Sequence, residues 1–128
     1  ITYWHDDKNL NGNVDSGEKV ILYVGLRRGG HSYYAFDVTD TNNPSLLWQR
    51  HGPYQVAYHN KNIPEFSTGY EQLGQTWSAL KPAMIKWNGA QKVVLLAGGG
   101  YDPDEDGSST SGPNSRFEHN VGNTVIRC

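Results

Sequence analysis

The sequence predicts an all-β fold: antiparallel blade meanders of a β-propeller, about two blades in extent, with an EF-hand-like loop set between strands. Three observations carry that expectation. Glycine is abundant (15 of 128 residues), aromatic residues make up 12% and charged residues only 19%, the balance of a turn-rich β chain. Three β-prone runs between Lys19 and Arg50 follow one another with only short turn clusters between them, as in the meander of a propeller blade. A similar order of strand, glycine-containing hairpin, strand, loop and strand recurs from Lys81 to Cys128, a weak internal repeat.

Ile1 to His5 (I-T-Y-W-H) has the β-branched and aromatic bias of a strand. From Lys19 to Leu26, Val20, Leu22, Val24 and Leu26 alternate with Ile21 and Tyr23, so both faces are apolar and a strand buried on both sides is expected. Arg27-Arg28-Gly29-Gly30 forms a hairpin turn in which the glycine pair supplies positive φ, and the arginines read as a solvated tip. His31 to Val38 returns as the partner strand, Thr39 to Ser45 is a turn cluster, and Leu46 to Arg50 makes the third strand.

His51 to Gln75 is long and aperiodic and carries Tyr54, Tyr58, Phe66 and Tyr70. Such rings can stack on sugars or dock a partner, but packing of the loop onto its own blade is the simpler expectation. Leu73 to Ser78 leads into a strand from Lys81 to Trp87. Asn88-Gly89 is a strong two-residue hairpin signal, with Ala90 to Ala97 as the return strand. Gly98 to Gly100 lacks a following Walker lysine, so it is expected to lie against close-packed backbone and not around phosphate. Asp102 to Asn120 is polar, and Gly122 to Cys128 resumes a strand. The whole of 1–128 thus reads as one partial propeller domain: loop and first blade over 1–50, an aromatic loop over 51–75, and an incomplete second blade over 76–128. A start without Met and an end directly after a strand-like run suggest a piece of a larger protein.

The stretch from Asp7 to Glu18, D-K-N-L-N-G-N-V-D-S-G-E, matches the calcium-loop pattern D-x-[DN]-x-[DN]-G-x₅-E at every specified position. Asp7, Asn9 and Asn11 fall at positions 1, 3 and 5, and Gly12 at the sharp turn of position 6. Asn13 would offer its backbone carbonyl, Asp15 a carboxylate or a bridging water, and Glu18 a bidentate carboxylate. A plain Asn/Gly turn does not need such residues in alternation over so long a stretch. The metal expected is Ca²⁺. Because strands flank the loop, it would fasten a β structure and not open a pair of helices. Asp102, Asp104, Asp106 and Gly107 repeat the first half of the pattern, but Pro113 stands where the closing chelator belongs, so a solvated acidic loop is expected there.

The net charge of −2 gives no global electrostatic case for nucleic acid or an anionic membrane. No apolar run approaches the length of a membrane-spanning helix. The five histidines lack metal-binding spacing, the single cysteine excludes an internal disulfide framework, and there is no nucleophile elbow. An enzyme is not supported.

The run E-K-V-I-L-Y-V-G-L-R-R-G-G-H-S-Y-Y-A-F-D-V-T-D, then N-P-S-L-L-W, L-G-Q-T-W-S and L-L-A-G-G-G-Y-D, resembles the C-terminal β-propeller of the PilC/PilY-type pilus-associated adhesins. The resemblance implies a modified propeller at the cell surface, at or near the tip of a type IV pilus, exported through periplasm and outer membrane. It implies roles in pilus biogenesis, extension and retraction, cell adhesion and twitching motility. The partners implied are pilus components such as minor pilins, and a host-cell receptor. The family's calcium loop falls on Asp7, Asn9, Asn11, the Asn13 carbonyl and Asp15, with Glu18 less firmly included because shorter loops need not use position 12. Two alternatives stay open: a fragment of a quinoprotein-like propeller dehydrogenase, and a purely structural calcium-stapled adhesin module.

Overall fold

A computed structural model describes residues 1–52 and 67–101. Among them the chain forms six strands and no helix: β1 (Thr2–His5), β2 (Val20–Gly25), β3 (Ser32–Asp37), β4 (Ser45–His51), β5 (Lys81–Trp87) and β6 (Ala90–Leu96). The first four make one antiparallel sheet in the order β1-β2-β3-β4, and β5 and β6 pair as a separate hairpin. The protein is all-β, as its composition and strand pattern predict. The aromatic residues Tyr54, Tyr58 and Phe66, the acidic stretch from Asp102 and the terminal Cys128 lie outside the described residues.

Register explains the core. Tyr23 lies opposite Thr2 and Ala35, and Ala35 opposite Trp48. Alternate residues share a face, so Trp4, Ile21, Tyr23, Tyr33, Ala35 and Trp48 line one side of the sheet. Ile21, Tyr23, Tyr33 and Ala35 are buried there, with Trp4 and Trp48 packed against them. Tyr70, Leu73, Leu80 and Leu95 close over this face and complete the cluster. Tyr70 therefore packs the connecting segment onto its own sheet, the simpler of the two expectations for that ring.

The other face differs from expectation. Val20, Leu22 and Val24 are half-buried and not sealed, because Tyr3 (69% exposed) and Leu46 (52%), which share their face, leave them open to solvent. Tyr34 and Phe36 stack on this side with ring centroids 6.3 Å apart. The β3–β4 register shifts between Ala35 and Phe36, whose partners are Trp48 and Leu46, so Leu47 has no opposite residue. That is a β-bulge, which sharpens the local twist.

The two turns also divide. Asn88 (φ 49°) and Gly89 (φ 81°) both adopt the left-handed conformation that a type I′ hairpin requires. In the β2–β3 turn, however, positive φ falls on Arg27 (54°) and Gly30 (155°) and not on Gly29. The reason is that the hydrogen bonds close the turn before the glycine pair can be its centre: Gly29 N–H donates to Leu26 O and Gly30 N–H to Arg27 O. Gly100 meets the predicted close backbone. Its φ is 104°, and a Cβ there would lie 2.6 Å from the carbonyl carbon of Gly74.

Candidate metal loop

The loop joins β1 to β2 across a tight neck. Asp6 N–H donates to Lys19 O at 2.9 Å, which extends the β1–β2 ladder to the loop mouth. Within the loop the side chains of Asp7, Asn9, Asn11, Asp15 and Glu18 are each engaged by neighbours. Asp7 Oδ1 accepts from Asn11 N–H (3.2 Å) and its Oδ2 from Gly12 N–H (2.8 Å). Asn9 Oδ1 accepts from Asn11 N–H (3.1 Å), and Asn11 Oδ1 from Asn13 N–H (2.7 Å). These Asx-type contacts turn the backbone inward around its side chains. Gly12 (φ 78°) and Leu10 (φ 59°) both take left-handed conformations to allow it. The spacing anticipates this for Gly12, but nothing in it marks the exposed Leu10.

Asp15 is the focus of the ring. Its Oδ2 receives the side-chain amides of both Asn9 (2.7 Å) and Asn11 (2.8 Å). The Asn9 and Asn11 amide hydrogen bonds together hold the Asp15 carboxyl below the usual carboxylate range, so it is ionised at neutral pH. Asn11 bridges the two carboxylates, with its backbone on Asp7 and its side chain on Asp15. The sequence-selected residues Asp7, Asn9, Asn11 and Asp15 thus form one connected polar ring, with Asn13 tied to it through its N–H.

Glu18 is placed otherwise. It is 4% exposed, and its carboxylate closes the neck of the loop. Oε1 accepts from Lys8 N–H at 2.9 Å, Oε2 accepts from Asp15 N–H at 2.9 Å, and His5 Nε2 lies 3.3 Å from the same Oε2. The backbone donors of Asp15 and then Lys8 lower the Glu18 pKa. Lys8 Nζ adds a further strap by donating to Gly17 O at 2.7 Å. Neither His5 nor Lys8 is marked by the loop pattern. His5 is the last residue of β1, and only the register of β1 against β2 brings it to Glu18.

Among the described residues, no three His, Cys, Asp or Glu side chains gather as a metal-holding group. The donors of the ring are two carboxylates and two amides on short side chains. Such an all-oxygen set suits a hard cation and offers nothing to a thiophilic metal. In this structure the N–H groups of the Asn9 and Asn11 amides face Asp15, and their oxygens accept from the backbone N–H of Asn11 and Asn13.

Comparison of the chain with models of protein families, with curated proteins and with solved structures finds no match.

Proposed function

We propose that this chain is a calcium-binding β-propeller segment of a type IV pilus-associated adhesin or biogenesis factor, and that it has no catalytic role. The metal reading rests on the loop pattern from Asp7 to Glu18, and it is supported by one observation: the structure brings the side chains of Asp7, Asn9, Asn11 and Asp15 into one connected hydrogen-bonded ring. Asp7, Asn9, Asn11, the Asn13 carbonyl and Asp15 would hold the ion, with Glu18 in support. The blade reading is supported by the four-stranded antiparallel meander and by its second, half-open apolar face, which suits a neighbouring blade. The pilus assignment rests on the sequence resemblance.

Calcium bound in the loop would supply positive charge among acidic side chains and fix the β1–β2 connection, which in turn would set how the propeller engages the pilus machinery. Calorimetric titration of calcium into residues 1–128 should show a single site, with affinity in the range of about 10⁻⁷ to 10⁻⁵ M found for sensor loops. That site should be lost in Asp7→Ala and in Asp15→Ala. Binding only at millimolar calcium would sink the switch. Glu18, buried at the neck, favours a second reading in which calcium is a permanent staple. Pilus retraction measured for a loop variant that stays folded separates the two, because a staple leaves retraction insensitive to calcium.

A further inference from the structure

The geometry points to a docking site for an acidic peptide segment at the β2–β3 turn, formed by Arg27, Arg28 and Trp77. Both guanidinium groups lie over the same indole, with Arg27 Cζ 5.9 Å and Arg28 Cζ 5.7 Å from the ring centroid of Trp77. Both arginines are exposed, and neither forms an ion pair with a carboxylate among the described residues. Lys19 and Lys8, by contrast, are paired with Asp37 and Asp6. Stacking on an aromatic face orients a guanidinium while leaving its N–H edge free, so the two forks are arranged before any ligand arrives.

The platform beneath them is rigid. Thr76, 1% exposed, precedes Trp77 and is bound on several sides. Its Oγ1 accepts from Leu26 N–H at 2.7 Å and donates to Ser32 O at 3.0 Å, and its carbonyl accepts from Arg27 N–H at 3.3 Å. Trp77 Nε1 donates to Gln75 Oε1 at 3.1 Å, which fixes the indole in turn. Arg27 also holds a left-handed φ of 54°, although two glycines follow within the same turn.

The ligand chemistry follows from what surrounds the forks. A carboxylate matches the planar, bidentate guanidinium edge. Leu26 (37% exposed) and Trp77 (43%) offer apolar contact beside it, so an acidic residue flanked by aliphatic ones fits. A sugar ring would have to compete with the guanidiniums for the indole face. Nucleic acid calls for a basic field that a chain of net charge −2 does not supply.

The test uses fluorescence anisotropy of a labelled peptide of alternating Glu and Leu, titrated with the full chain. Saturable binding that weakens with added salt is expected. The double substitution Arg27→Gln with Arg28→Gln should weaken it about tenfold or more. Lys86→Gln, at an exposed cation on β5, should leave it unchanged. Arg27→Gly should lose affinity while melting no lower than the parent, which separates docking from folding. The proposal is overturned if the double variant binds like the parent or if Lys86→Gln weakens binding equally. It is overturned too if heparin binds the site more tightly than the peptide, which would make the ligand an anionic glycan. Binding that emerges only after Asp102→Asn, Asp104→Asn, Glu105→Gln and Asp106→Asn together would name the chain's own acidic stretch as the occupant, and would likewise overturn it.

Discussion

Replacing Thr76 with valine removes one hydroxyl and nearly nothing else. That hydroxyl accepts from Leu26 N–H at 2.7 Å and donates to Ser32 O at 3.0 Å, joining the segment before β5 to both ends of the β2–β3 turn. The valine methyl fills the space but leaves one backbone donor and one acceptor without partners. A hydrogen bond contributes about 1 kcal/mol net, and stranding its partner in a dry site adds more. Leu26 is 37% exposed, so water reaches part of the site and the lower end applies, for a total of about 2 kcal/mol. An unfolding entropy of about 2.1 cal/mol/K per residue gives ~0.27 kcal/mol/K for 128 residues, hence a fall in Tm of about 7 °C. Thr76→Ser keeps the hydroxyl and loses one methyl group, which costs about 0.8 kcal/mol or roughly 3 °C. Thermal unfolding followed by far-ultraviolet circular dichroism reads both variants. If valine melts at or above serine, the hydroxyl does not hold the turn and the argument fails.

Two further outcomes test the ion pair and the glycine contact. Asp37, hydrogen-bonded by Lys19 at 2.6 Å and then by Thr39, has its pKa lowered from 3.8 to about 2. A depressed folded pKa contributes stability that is present above the unfolded value and is lost as pH falls through the folded one. Acid unfolding should therefore steepen between about pH 4 and pH 2 in the parent and be shallower there in Asp37→Asn, as read by circular dichroism across a pH series. Gly100→Ala places a Cβ against the Gly74 backbone at a φ of 104°, and clash and strain together should cost about 3 kcal/mol, measured by urea denaturation.

How much of this was legible in the sequence depends on the range of the interaction. The hairpin at Asn88-Gly89 is written in two adjacent residues, and the structure uses both in the left-handed conformation. The strands of the meander follow from alternation within each run, so their order and pairing were readable to within a residue or two. The half-open face of β2 was not, because the apolar pattern of Val20, Leu22 and Val24 records suitability for burial and not what covers it. The Arg-Arg-Gly-Gly turn misled for a local reason: composition placed the left-handed residue on glycine, whereas the hydrogen bonds from Gly29 and Gly30 begin the turn at Leu26. In the loop, alternation identified Asp7, Asn9, Asn11 and Asp15, which act within the loop itself. His5, which stands beside Glu18, comes from β1, and the partners of Arg27 come from Thr76–Trp77, and no local pattern names them.

Glu18 shows why a matched motif and a built site are different claims. The pattern puts a chelator at the last loop position, and a carboxylate there has two oxygens with two lone pairs each. In this chain both oxygens already accept from the backbone of Lys8 and Asp15, and His5 of β1 stands beside one of them. The carboxylate is thus the joint between loop and sheet: it ties the second loop residue to the ninth and both to the end of an edge strand. Among the described residues β1 pairs with β2 alone, so the neck at Glu18 and the Asp6–Lys19 hydrogen bond are what carry the loop's geometry into that edge. A cation held by Asp7 and Asp15 would pull on Asp15, whose N–H is bound by Glu18, and through Glu18 on His5. If the metal regulates this domain, the physical route runs through the register of β1. The edge strand, with Tyr3 facing solvent and Trp4 packed against the core, is then the element whose position the loop controls.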